Sequence, residues 1–173
     1  MDEVIALINK IIEEHRVITG TVQTLEQAAT DAATIVELDK AKEVFMPGRF
    51  EQKPALQKLQ ELLEEIDSGL REHFNREETG LLTAFKKYGG KELASALRSL
   101  LLEHEDLKGR FDHLKKLVAE LGTGRVSRHV WEARAYDMRA YLNHTGRLLG
   151  VHAETEQELL QKLRSELVRR EKE

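Results

Sequence analysis

Apolar residues recur along most of this chain at steps of three and four positions, the spacing that keeps side chains on one face of an α-helix. The first stripe runs Ile5, Ile8, Ile11, His15, Ile18, Val22, Leu25, Ala29 and on to Val36. The second holds Leu56, Leu59, Leu63, Ile66, Leu70, His73, Glu77, Leu81 and Ala84. The third follows Leu93, Leu97, Leu100, His104, Leu107, Phe111, Leu114, Val118 and Leu121. The fourth follows Trp131, Ala135, Met138, Leu142, Leu149, His152, Glu156, Leu159, Leu163 and Leu167. Turn signals separate the stripes: "FMPGRFEQKP" (45–54), the pair Gly89 and Gly90, and "GTG" (122–124). The pattern predicts four helices over roughly 2–36, 54–88, 91–121 and 127–170, with Pro54 in a first turn and Ser127 as a cap. Long helices with short connections pack as an antiparallel up-and-down four-helix bundle, so the expectation is an all-α chain with one domain over 1–173. The connection between about 37 and 54 is the longest, either a frayed extension of the first helix or a loop over the bundle end.

Composition agrees with this and removes several functions. The 173 residues suffice for one substantial core; 40% are apolar, 34% are charged and only 2 are proline, which favours long helices over sheet. A net charge of −4 with interspersed signs offers no basic stripe, so nucleic acid is not an expected partner. The chain has no cysteine, which excludes disulfides, thiolate metal sites and iron–sulfur clusters. No stretch approaches a continuous apolar span and the start lacks a basic region, so neither a membrane segment nor a signal peptide is expected. The expectation is a soluble, cytoplasmic protein.

One irregularity carries the chemistry. Each stripe contains a histidine where its period calls for an apolar residue: His15, His73, His104 and His152. Two stripes add a glutamate one turn later, Glu77 in "LREHFNREETG" (70–80) and Glu156 in "LLGVHAETEQELL" (148–160). At ~1.5 Å per residue, counting along the helices places His15, His73 and His104 within ~3 Å of one level. Measured from Ser127, His152 lies ~12 Å too far. The last helix therefore either overshoots, with its start folded across the bundle end, or begins later. His144 fits the level better but points ~80° away from the stripe, and Glu156 keeps His152 as the candidate.

For any one of these positions, a core histidine satisfied by a nearby glutamate is the plain alternative. For all six together that alternative weakens, because buried carboxylates without partners cost several kcal/mol. Two divalent cations would compensate directly, with imidazoles as terminal ligands and carboxylates able to bridge. Imidazole and carboxylate donors without thiolate suit iron, manganese or zinc better than magnesium or calcium.

The order His15, His73 to Glu77, His104, His152 to Glu156 resembles the hemerythrin-like, HHE-type cation-binding domain over nearly the whole chain. The repeat is internal as well: "EEHR" (13–16) echoes "LEHE" (102–105), and "LREHFNREE" (70–78) echoes "LGVHAETEQ" (149–157). The resemblance implies a di-iron centre in the bundle core. In it Glu77 and Glu156 bridge the ions, His15 and His73 end on one iron and His104 and His152 on the other, with an oxo, hydroxo or water bridge. Ferritin-like di-iron bundles instead place a glutamate three residues before a histidine, and none of the 7 histidines here has one.

Two departures bear on function. Oxygen-carrying hemerythrins have a further histidine four residues after the one on the third helix, where this chain has Lys108, and their last motif ends in a more distant aspartate. Fewer imidazoles leave open or water-filled positions, which Glu78, His144 or a side chain from the long connection could fill. Lys108 reads as a solvated surface lysine, with a reach toward the site as its alternative. His113 and His129 read as surface residues, and Glu13, Glu14, Glu103 and Glu105 as solvated. The preferred function is therefore a non-catalytic di-iron module that binds or senses oxygen, nitric oxide or iron and is not a reversible carrier. The second is a di-iron oxidoreductase or iron-donating repair protein acting on peroxide, nitric oxide or damaged iron centres, and the third is a bundle whose metal is structural.

Overall fold

The computed structural model describes residues 2–38, 53–123 and 126–171, with side chains at 2–31, 54–123 and 126–170. Of the connection expected around 37–54, residues 39–52 lie outside the described residues, as do most of its turn at 45–54 and Gly124 of the turn at 122–124, while 37–38 and 53–54 are helical. In chain order the elements are α1 (Asp2–Leu38), α2 (Lys53–Arg76), a π-helical turn (Glu77–Leu81), α3 (Leu82–Tyr88), α4 (Gly90–Leu101), α5 (Glu103–Leu121) and α6 (Arg128–Glu171). No strand occurs among the described residues. The chain is an all-helical bundle in which α1 packs on α2 and α6, and α5 packs on the same two helices.

Two of the four expected helices are interrupted. The second is one rod in which the π turn separates α2 from α3. The third is divided at Leu102, whose amide donates to the Ser99 carbonyl at 3.3 Å and whose side chain is exposed. Leu102 lies off the apolar stripe, so no packing holds it in register, and α5 restarts just ahead of His104. Between the second and third rods, the Gly89 amide closes α3 on the Phe85 carbonyl at 2.8 Å. Gly90 then takes φ 72°, a left-handed conformation that favours glycine.

The last helix is continuous for 44 residues and does not fold across the bundle end. The Ser127 hydroxyl accepts from the Val130 amide at 3.4 Å, as an N-terminal cap does. The Trp131 indole donates to the Leu121 carbonyl at 2.9 Å, so α6 passes the end of α5 only at Trp131. That overhang takes up part of the excess length that residue counting finds before His152.

The apolar core divides into two clusters. One gathers Val22, Leu25, Leu63, Phe74, Phe111 and Trp131 among others. The other gathers Ile8, Ile11, Phe85, Leu97, Leu160 and Leu163 among others. Where the two meet, the buried residues are mostly polar: His15, His73, Glu77, His104, His152 and Glu156, with Phe74 of the first cluster among them.

Two glycines show how closely the rods are set. A Cβ at Gly146 of α6 would lie 3.1 Å from Val22 Cγ1 and 2.8 Å from Glu26 Oε1 on α1, whereas one at Gly109 of α5 would meet nothing within 4 Å. Gly146→Val should destabilise the chain by about 1–3 kcal/mol through overpacking. Gly109→Ala should stabilise it by about 0.5–1 kcal/mol through helix propensity. Urea unfolding midpoints of the two variants should move in opposite directions.

Candidate metal centre

The structure brings all six predicted side chains together. His15 comes from the middle of α1, His73 from the last turn of α2, Glu77 from the start of the π turn, His104 from the first turn of α5, and His152 and Glu156 from α6. His15 Nε2 lies 3.1 Å from Glu156 Oε2 and 3.5 Å from Glu77 Oε1. His73 Nε2 is 2.5 Å from Glu77 Oε1, and His104 Nε2 is 3.1 Å from Glu77 Oε2. The Nε2 atoms of His104 and His152 are 3.2 Å apart. The donors form two overlapping groups, His15–His73–Glu77–Glu156 and Glu77–His104–His152, each with ligand atoms within 4.8 Å of one another. Glu77 belongs to both groups, so it has the geometry of a bridge; Glu156 groups with His15 and His73.

The π turn sets the two adjacent glutamates. Its wider turn carries an extra residue, and consecutive side chains Glu77 and Glu78 then serve neighbouring atoms. Glu77 is buried at the centre, and Glu78 reaches the outer nitrogen of His104, with Nδ1 to Oε1 at 2.8 Å. Phe74 stacks on the His104 ring at 3.9 Å between centroids and closes that side with apolar surface.

Two further carboxylates do the same for two other imidazoles. His73 Nδ1 lies 2.9 Å from Glu14 Oε2, which also accepts from Arg76 Nε at 3.1 Å. His152 Nδ1 lies 3.0 Å from Glu103 Oε2. A carboxylate at Nδ1 requires the proton there and leaves Nε2 as a lone pair facing inward, the arrangement that prepares a histidine for a metal. Glu14 is therefore not the solvated residue expected, and Glu103, though exposed as expected, also holds an imidazole. Their signal was in the sequence: each directly precedes a stripe histidine and serves the histidine of the next rod. Lys108 is not simply solvated either. It is half-buried, pairs with Glu105 at 3.0 Å and with Glu78 at 3.4 Å, and so touches the centre only through the carboxylate that holds His104.

The inner atoms fit a cation. Both nitrogens of His15 and all the carboxylate oxygens of Glu77 and Glu156 are buried without a hydrogen-bonding partner. Asp67, also buried, shows the contrast, because Arg71 at 3.0 Å and Lys115 at 2.6 Å neutralise it. Lone pairs on imidazole and carboxylate facing each other at about hydrogen-bond distance repel unless a positive charge lies between them. Without metal, protons supply that charge. Burial lowers the His15 pKa, but Glu156 and Glu77 outweigh it and push it up to about 9. Burial, together with the Glu77 charge, raises Glu156 to about 7 against the opposing pull of His15. Against its own burial, Glu77 is held well below the usual carboxylate range by His104, His15 and His73.

The remaining histidines stay outside. His144 is exposed and lies 3.5 Å from Arg110, His113 packs edge-on against Tyr141, and His129 is exposed at the start of α6.

An enclosed imidazole–carboxylate cluster in a helical bundle is a donor set able to hold metal cations. The sequence matches the family described as the Hemerythrin HHE cation binding domain over residues 6–163, and the chain belongs to that family. No curated protein and no solved structure matches the chain significantly.

Two expectations follow from the charges. The raised pKa of His15 stabilises the metal-free fold fully below 6.5, and that contribution is lost as pH rises through about 9. The raised pKa of Glu156 contributes fully below 4.5 and is lost as pH rises through about 7. The depressed pKa of Glu77 acts oppositely, but its contribution is complete above 4.5 and constant in this window. Bound cations replace the protons, so the melting-temperature gap between metal-loaded and metal-free protein should widen from pH 6.5 to 9. A gap that shrinks with rising pH would contradict this. Separately, Glu103→Gln should weaken metal binding by about 10–100-fold in direct titration while leaving the helical signal intact.

Proposed function

We propose that this chain is a non-haem di-iron binding protein that binds or senses oxygen, nitric oxide or iron itself and is not a reversible oxygen carrier. The observation that carries the proposal is the convergence of four imidazoles and two carboxylates on one enclosed volume, with both oxygens of Glu77 and of Glu156 unpartnered. Imidazole with carboxylate suits iron, with manganese and zinc as competitors for the same donors. In this proposal His15, His73, Glu77, His104, His152 and Glu156 are the ligands of two ions, and iron held there supplies a redox couple and open positions for a small ligand. Glu14, Glu78 and Glu103 orient three of the imidazoles, and the two apolar clusters keep bulk water away. The single domain over 1–173, the antiparallel up-and-down order of the rods and a cytoplasmic location belong to the same proposal. The short connections after α3 and α5 favour that order, and among the described residues no helix is long and apolar enough to cross a membrane.

Lys108 argues against reversible carriage. It occupies the place of the carriers' extra imidazole, and its ammonium is tied to Glu78 and Glu105. The second reading, a di-iron oxidoreductase or iron-donating repair protein, draws support from His15, the one imidazole with no outer carboxylate.

Anaerobic loading with iron(II) should give two metal ions per chain. Metal binding only to the folded state should add ~2.7 kcal/mol of stability at 100 times the dissociation constant. One ion or none per chain, or identical melting curves with and without iron, would end the di-iron proposal. On stopped-flow mixing with oxygen, the reduced iron protein should oxidise rapidly and irreversibly. An absorption band that vanishes on deoxygenation and returns on re-exposure would instead establish a carrier.

A further inference from the structure

Three of the four imidazoles are gripped from outside, and one is not. Glu14, Glu78 and Glu103 hold the Nδ1 atoms of His73, His104 and His152. His15 Nδ1 has no partner, and His15 is the most exposed member of the cluster, at 7% against 2% or less for the others. The internal repeat makes the gap specific. Gln157 follows Glu156 as Glu78 follows Glu77, but it is an amide on a helix without a π turn, so the second half sends no carboxylate to His15 as the first half sends Glu78 across to His104.

The space around His15 is equally one-sided. On its outer side the ring borders a cavity of about 530 Å³ between α1 and α6, also lined by Thr19, Gly20, Gln23, Gly150 and Gln157. The two helices are close at Gly146 and Val22, but a Cβ at Gly20 or at Gly150 would meet nothing within 4 Å. On its inner side His15 borders a void of about 10 Å³ shared with His73, Phe74 and His152, room for about one water. The imidazole, with Thr19 and Ala153, thus separates the cleft from the void beside the centre.

We propose that His15 is the mobile ligand of the centre, swinging into the α1–α6 cleft. The divalent cation it holds with His73, Glu77 and Glu156 then enters and leaves by that cleft, ahead of the ion at His104 and His152. This rests on the two-ion proposal above. Turning the His15 ring outward breaks no hydrogen bond at its outer nitrogen, whereas turning any of the other three breaks one to a carboxylate there. The cleft has oxygen donors for a partly hydrated cation in Thr19, Gln23, Gln157 and Glu154. Arg16, also on its wall, is paired with Glu13 at 3.1 Å.

The test is release of iron(II) from anaerobically loaded full-length protein into excess bidentate chelator, followed by the absorbance of the chelate. The wild-type chain should release its two ions in two phases of equal amplitude. Gly20→Leu combined with Gly150→Leu fills the cleft and should slow the fast phase by about tenfold or more, a barrier change of ~1.4 kcal/mol, with the slow phase unchanged. Gly20→Ala combined with Gly150→Ala, where each Cβ meets nothing within 4 Å, narrows the same cleft with less added volume, should slow the same phase and keeps the test available if the leucine variant misfolds. Release of two ions in a single phase overturns the inference alone, as does a fast phase indifferent to the substitutions in folded protein. Uptake of a single ion overturns the inference and the di-iron proposal together.

Discussion

Two carboxylates and four imidazole lone pairs share one buried volume, and this crowding of like electrostatic character is what the rest of the molecule is arranged around. Burying a carboxylate without a partner costs several kcal/mol, more than the ~1.5–3 kcal/mol gained by burying a leucine in its place. A chain that folds with Glu77 and Glu156 fully enclosed needs positive charge among them, as metal or as protons. The outer carboxylates add to this demand, since Glu14, Glu78 and Glu103 fix three imidazoles with their lone pairs inward. The energetics favour a cation-loaded state, and the protonated cluster is what the same residues make when metal is absent.

Much of this was legible in the sequence, and the limits of legibility have a common cause. Apolar period located the four rods, and the histidines embedded in the stripes located the layer where the rods meet. Period alone assigns each residue a direction at ~100° per step on an isolated helix. The neighbour of a stripe histidine therefore points off the core face and reads as solvated. Glu14 and Glu103 do point that way, but the adjacent rod is there to meet them. The π turn is invisible for the same reason: nothing in "EETGL" announces an extra residue in the turn, and a regular helix would have turned Glu78 elsewhere. The break at Leu102 had a faint signal in an apolar residue standing off its stripe. The level of His152 could not be counted from Ser127, because only the contact between Trp131 and Leu121 shows how far α6 overhangs its neighbour.

The two halves of the repeat share ligand types and spacing but differ in what surrounds them. The first half contributes the π turn and Glu78, and Lys108 leans on that glutamate from α5. The second half runs as an uninterrupted helix through His152 and Glu156 and carries Gln157 at the matching position. A pseudo-twofold set of ligands, with Glu14 and Glu103 as an equivalent outer pair, is thereby set beside Glu78 and Gln157, which break the symmetry. The differences lie in side chains one position removed from the ligands, which tune hold and access without altering the donor set.

The division of the apolar core has a consequence for cooperativity. The cluster around Phe111 and the cluster around Phe85 are joined mainly through the polar layer between them. With cations in place, that layer ties α1, the second rod, α5 and α6 together, and the two clusters should open as one unit. Once the layer is emptied, each cluster keeps its own packing and loses its strongest tie to the other. Amide hydrogen exchange should then resolve two opening free energies where the loaded protein shows one. Such a chain can loosen at one end of the bundle while the other end stays folded, and the metal decides whether its two ends share a single stability.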